Sequence, residues 1–139
     1  MKNDKWIVVA GTFDLFHVGH ENILKNAARF GCKLAVLVNT DRFAATFKEP
    51  LAQSQSARMS QAGSRPQVDI CGYNDSPNLM DTIDKWGLDV VGVLFGDDYD
   101  LQSYRRQTGI TLEWQRERGV ALIQIPRTLG VSSTQLRLK

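Results

Sequence analysis

The sequence predicts an α/β protein, a single domain over residues 1–139 built as one doubly wound parallel sheet of five strands with helices on both faces. Three observations lead there. Short runs of β-favouring apolar residues alternate along the chain with stretches of helical period. The links between the first run, the helix after it and the second run are short, which makes a βαβ unit with a right-handed parallel crossover. A length of 139 residues, 42% of them hydrophobic and 23% charged, suits one domain whose core needs neither disulfide nor metal. Together these describe a Rossmann-like arrangement, in which ligands sit at the carboxyl ends of the strands.

Residues 6–10 open the sheet, and Ile7, Val8 and Val9 mark a strand buried on both faces. Residues 21–30 place Ile23, Leu24, Ala27 and Ala28 on one helical face, with Gly31 as the stop. Residues 33–39 form the second strand. Residues 41–65 are polar and weakly patterned; Lys48, Glu49 and Pro50 break any helix there, and Ser54 caps a short one reaching Met59. Residues 67–73, with Val68 and Ile70 alternating, give a third strand. Ser76 and Pro77 supply a cap and a first-turn proline for a helix carrying Leu79, Met80, Ile83 and a core-packed Trp86, ended by Gly87. Residues 89–95 are the clearest buried strand and run into Gly96, Asp97, Asp98 and Tyr99. Residues 100–118 carry no firm assignment beyond one or two helical turns over 112–118, before Gly119. Residues 120–125 form the fifth strand, and a short terminal helix follows.

The net charge of +2, with its basic residues scattered, argues against nucleic acid and fits a small anionic ligand. No segment is apolar for long enough to span a bilayer, and the polar start has no signal-peptide apolar region behind it, so no membrane partner and a cytoplasmic location are expected. Cys32 and Cys71 lie in or beside apolar runs and are expected as buried free thiols. No repeat, low-complexity tract or linker divides the chain.

The chemistry concentrates in the turn after the first strand, Gly11-Thr12-Phe13-Asp14-Leu15-Phe16-His17-Val18-Gly19-His20. A strand, a glycine turn and a helix start leave backbone N–H groups and a partial positive charge for phosphate oxygens, and Gly11 and Gly19 allow close approach. His17 and His20, the only two histidines of the chain, lie on one side of a single helical turn and can donate to the same ligand. Zinc is the other specific chemistry for such a pair, but Cys32 and Cys71 are isolated and no paired-ligand spacing accompanies them, so no metal site is expected.

This stretch resembles the first signature of the cytidylyltransferase-like nucleotidyltransferases, whose HxGH motif is matched by His17, Val18, Gly19 and His20. Thr12-Phe13-Asp14 with Leu15-Phe16-His17 is most similar to the glycerol-3-phosphate cytidylyltransferases. Residues 127–134 resemble the family's second signature, RTxGISTT, with Val131 for Ile and Ser133 for Thr. In physical terms Arg127 offers a planar fork for phosphate. Gly130 and the hydroxyls of Ser132, Ser133 and Thr134 prepare a helix start rich in donors.

The resemblance implies residue roles. His17 and His20 hold the α- and β-phosphate region, and Arg127 with the turn at Ser132 holds the β- and γ-phosphates. Lys48 bridges the α-phosphate and the incoming phosphate, and Arg58 contacts phosphate of either substrate. Gly11, Thr12, Phe13, Gly19 and Thr128 belong to the substrate site. Asp14 could orient Lys48 or a metal-bound water, or cap the first turn, and Asp97, in the family's GDD position, shapes the nucleotide pocket. Magnesium is expected on the triphosphate, because hard phosphate oxygens prefer it, and a homodimer is expected from the family. There are departures: Tyr99 stands where the family usually has tryptophan, residues 100–118 are longer than in compact members, and residues 74–86 match no acceptor pattern.

The implied activity is transfer of CMP from CTP to a phosphorylated small alcohol, glycerol 3-phosphate above others, with release of pyrophosphate. The substrate phosphate attacks the α-phosphorus in line, with no covalent intermediate, so positioning and charge stabilisation carry the catalysis. An adenylyltransferase acting on a sugar phosphate and a catalytically silent nucleotide-binding module are the alternatives; Arg127-Thr128 favours cytidine. A class I aminoacyl-tRNA synthetase is set aside, since Arg58-Met59-Ser60 resembles its second motif but falls too early in too short a chain.

Overall fold

The computed structural model describes residues 2–48 and 50–126. In chain order the elements are β1 (Trp6–Gly11), α1 (Val18–Ala28), β2 (Lys33–Asn39), α2 (Asp41–Ala44), α3 (Gln55–Gly63), β3 (Ile70–Asn74), α4 (Leu79–Trp86), β4 (Val90–Gly96), α5 (Leu101–Thr108), α6 (Leu112–Arg118) and β5 (Ala121–Ile125). The strands form one parallel sheet in the order β3-β2-β1-β4-β5. The expected strand β1 is central, and the strand order reverses between β1 and β4. That switch leaves a crevice beyond their carboxyl ends, where Gly11 and Gly96 lie.

A hydrophobic layer lies on each face of the sheet, as a doubly wound fold requires. On one face Ile7, Val9, Leu34, Val36 and Leu94 meet Leu24 and Ala27 of α1 and Ala62 of α3. On the other, Val8, Leu37, Val93 and Phe95 meet Leu79 and Ile83 of α4, Tyr104 of α5 and Trp114 of α6. Trp86 packs in this second layer directly over Gly72, where an added Cβ would stand 2.0 Å from the indole.

Several boundaries differ from the sequence reading. Helix α1 starts at Val18, three residues before the expected Glu21, because His17 caps it. Helix α4 starts at Leu79 with Asn78 as its cap, so Ser76 and Pro77 precede the helix instead of opening it. Strand β3 begins at Ile70, since the Asp69 carboxylate accepts from Leu34 N–H and takes the place of a ladder bond. Residues 100–118 hold two helices, each capped: Asp100 and Ser103 form a capping box for α5, Thr111 caps α6, and Gly109 and Gly119 end them in left-handed conformation. Ser54 caps α3 as expected, and that helix runs to Gly63. Cys32 is a buried free thiol and Cys71 a half-buried one. Among the described residues no helix is long and apolar enough to cross a membrane. The expected terminal helix lies outside the described residues.

Candidate active site

A cleft of about 260 Å³ opens over the carboxyl ends of β1, β2 and β4. Its first wall is the turn between β1 and α1. Here the two histidines cap the helix reciprocally: Gly19 N–H donates to His17 Nδ1 at 3.0 Å, and His17 N–H donates to His20 Nδ1 at 3.2 Å. Each Nδ1 therefore offers a lone pair inward, which puts the ring proton on Nε2. Two Nε2–H donors remain, on residues that both line the cleft. The rings stack with centroids 3.9 Å apart.

Gly19 is required for this geometry, because a Cβ there would stand 2.8 Å from His17 Cε1. Phe13 and Leu15 adopt left-handed backbone, with φ of 57° and 51°. Such strain in residues other than glycine costs on the order of 1–3 kcal/mol each and concentrates at functional turns. What holds the turn is visible. Asp14 accepts from the N–H groups of Ala52 and Gln53, both at 3.0 Å, and Leu15 N–H donates to Gln53 Oε1 at 2.8 Å. Phe13 is buried, with its ring 5.2 Å from His20 and 6.3 Å from Phe16. The Arg65 guanidinium lies 4.9 Å over Phe16 and pairs with Glu21.

His20 is pushed down from the ordinary histidine value to about 4, first by burial and then by the neighbouring His17 and the charge of Lys48, with Asp14 opposing. It is neutral at pH 7, as its capping role requires. Lys48 is exposed at the cleft edge and lines it with Phe43 and Phe47. Thr12 Oγ1 accepts from Asn39 Nδ2 at 3.1 Å, tying the ends of β1 and β2.

Arg58 corrects the expectation of a phosphate contact. The side chain is fully buried and does not line the cleft. Its Nη1 donates to the carbonyls of Thr12 and Asn39, each at 2.7 Å, Nη2 to Asp41 Oδ1 at 2.7 Å, and Nε to the Gln53 carbonyl at 3.3 Å. It fastens the ends of β1 and β2 to α2 and to the turn before α3, and it holds the Asp41 carboxyl below the usual range. Asp97 is exposed in the turn after β4 and is not among the lining residues; Asp98 and Tyr99 of that turn are.

Arg127, Thr128, Gly130, Ser132, Ser133 and Thr134 lie outside the described residues. The chain before them is described to Pro126, whose carbonyl accepts from Asn22 Nδ2 of α1 at 3.2 Å. The opposite wall, which sequence reasoning missed, comes from Asn74, Ser76 and Leu79 around the start of α4 and from Tyr104, Gln107 and Thr108 of α5. Among the described residues no group of three or more His, Cys, Asp or Glu side chains gathers as a metal cage.

The comparisons with known proteins agree with this architecture. A solved lipopolysaccharide core biosynthesis protein from Thermoplasma volcanium GSS1 superposes with a TM-score of 0.72, at 19% identity, covering 88% of this chain and 97% of its own. The glycerol-3-phosphate cytidylyltransferase of Bacillus subtilis (strain 168) is 27% identical over 135 residues, 96% of this chain and 95% of that protein. The FAD synthase of Ferroglobus placidus is 28% identical over 117 residues, 82% of this chain and 76% of that enzyme. The bifunctional protein HldE of Gluconobacter oxydans (strain 621H) is 36% identical over 81 residues, 57% of this chain but only 17% of that protein. The cytidylyltransferase-like family model matches residues 8–139, both signature stretches included, and the chain belongs to the cytidylyltransferase-like family of nucleotidyltransferases.

Proposed function

We propose that the protein transfers CMP from CTP to the phosphate of a small phosphorylated alcohol, with glycerol 3-phosphate the first candidate, and releases pyrophosphate. The observation that carries the reading is the reciprocal histidine cap. It leaves an Nε2–H donor on each of two cleft-lining residues at a helix N-terminus, the arrangement that phosphate oxygens need. Joining a triphosphate to a second dianion is opposed by repulsion, and Lys48 at the cleft edge is the described cation able to offset it. In-line attack on the α-phosphorus then needs held geometry and stabilised charge, with no covalent step.

Magnesium belongs to this reading as part of the nucleotide substrate. Both Asp14 oxygens already accept backbone N–H groups, so phosphate oxygens and water are the natural ligands of the ion. Arg127 and the hydroxyls of residues 132–134 are proposed for the β- and γ-phosphates, supported by the family's second signature and by the bond from α1 to Pro126. Similarity over nearly the full length to a glycerol-3-phosphate cytidylyltransferase supports CTP and a phosphorylated polyol. Similarity to an FAD synthase and to HldE leaves room for other substrates, and the second reading is adenylyl transfer to a sugar phosphate.

Pyrophosphate release separates the two. Purified protein with magnesium is offered each of four nucleoside triphosphates against glycerol 3-phosphate, sugar phosphates and FMN. Release with CTP and glycerol 3-phosphate alone is the expected result. Release with ATP alone selects the second reading, and silence throughout assigns the fold to a nucleotide-binding module.

A further inference from the structure

The wall of the cleft built by the start of α4 and by α5 carries no charged side chain among the described lining residues, with Asp98 lining the cleft from the turn before α5. Among the described lining residues Lys48 is the sole lysine or arginine, and the α4–α5 wall offers hydroxyl and amide groups between apolar side chains. Tyr104 stands out within it. The side chain is 3% exposed, and its ring lies face to face with Phe95 at 4.2 Å and edge-on to Tyr99 at 5.7 Å, so its position is fixed.

Its hydroxyl has no hydrogen-bond partner among the described residues. Two other polar residues of this wall bond elsewhere: Thr108 Oγ1 donates to the Tyr104 carbonyl at 2.8 Å, and Asn74 donates to Asn39 and accepts from Thr82. Native cores seldom leave a buried hydroxyl unpaired without a reason. Burial also raises the phenol above its ordinary value, which keeps it a neutral donor.

The strand order indicates which substrate meets it. The end of β5 lies on one side of the histidine turn, and the ends of β2 and β3 lie on the other. On the proposed function, the triphosphate lies at the start of α1, on the β5 side of the histidine turn. Helix α5 leaves the end of β4, but Gly109 at its C-terminal end packs against Pro77 and Asn78 before α4, so Tyr104 and Ser76 share a wing with Lys48 that is then left to the second substrate. That wing has no further cation for a second phosphate, and Phe95 and Tyr104 cover one another's faces, leaving no slot between them for a flat ring.

We propose that Tyr104 determines acceptor specificity, its hydroxyl hydrogen-bonding a hydroxyl group on the uncharged body of a phosphorylated polyol or sugar. This rests on the transferase reading only for which substrate lies there. The test is calorimetric binding to the full chain, wild type against Tyr104→Phe. The probes are glycerol 3-phosphate, ribose 5-phosphate and propyl phosphate, which keeps the phosphate but lacks free hydroxyls. The variant is expected to bind at least one of the two hydroxylated probes about tenfold more weakly and propyl phosphate equally well. Its ligand-free Tm is expected at or above that of wild type, because an unpaired buried hydroxyl has been removed. Equal binding of both hydroxylated probes by the two proteins, no binding of either by wild type, weaker binding of propyl phosphate by the variant, or a lower ligand-free Tm overturns the assignment. A tenfold loss of binding alongside silent pyrophosphate release leaves this site standing and removes the transfer reading. Turnover with an unchanged acceptor KM in the variant removes only the role of Tyr104.

Discussion

The β1–α1 turn and the anchor around Arg58 stand side by side at the carboxyl edge of the sheet, and they direct their hydrogen bonds oppositely. In the turn, the inner nitrogen of each imidazole accepts from backbone, leaving the outer N–H of two cleft-lining residues to a ligand. At the anchor, a fully buried guanidinium gives its bonds to three carbonyls and one carboxylate of the protein itself. Both were reasonable phosphate ligands by residue type. Counting which donors the protein already uses separates residues that keep a donor for a ligand from the residue that builds the site.

The largest effects fall on the turn. His17→Ala and His20→Ala are expected to lower the rate of pyrophosphate release about a hundredfold or more, the usual loss for a donor aimed at developing charge. Far-UV circular dichroism is expected to stay unchanged. Wild-type rates in either variant would break the contrast at its first side.

Arg58→Lys probes the other side. A lysine keeps the charge but cannot serve four acceptors from one plane, so unfolding in urea should show a loss of about 2–4 kcal/mol. A variant with wild-type stability and weakened nucleotide binding would show that the fork reaches substrate after all.

Acid sharpens the contrast between about pH 6.5 and 4, where His20 of the turn takes up its proton while the Asp41 carboxylate of the anchor, held below its usual range by Arg58, stays charged. His20 has a folded value of about 4 against the ordinary 6.5, so the unfolded chain takes up the proton first. Stability from this residue is fully present above about 6.5 and is lost as pH falls through about 4, on the order of 3 kcal/mol. Urea titrations across that window should show the decline, reduced in His20→Ala. The smallest effect is Gly19→Ala: its Cβ displaces the His17 ring, costing about 1 kcal/mol of cap stability. The rate should fall with it, and an unaltered rate would mean that the ring can sit elsewhere.

Much of the fold was legible because apolar runs such as Val90, Val91, Val93 and Leu94 have no stable place except a buried strand. Residues 100–118 were harder, since α5 and α6 are short and polar. Their readable signals were caps, Asp100 with Ser103, Thr111, and the glycines at 109 and 119. The early start of α1 escaped because histidine is not a favoured cap, and only the folded turn brings each Nδ1 onto a backbone N–H. The histidine wall of the cleft could be located from spacing and resemblance. The Tyr104 wall could not, because Ser76, Leu79 and Tyr104 come together only after the crossovers through β3 and β4 have formed. Arg58 shows the remaining limit: a sequence gives the charge of a side chain but not the number of its donors already engaged.

On the proposed function two imidazoles, each fixed by its own Nδ1, present Nε2–H to a nucleoside triphosphate. Nitrogen-detected NMR of the two histidines at pH 7 tests it directly, with and without magnesium and CTP or ATP. Unprotonated Nδ1 and protonated Nε2 are expected in both rings, with both Nε2–H signals moving when at least one nucleotide is added. Protonated Nδ1 in either ring, or Nε2–H signals indifferent to both nucleotides, would contradict it.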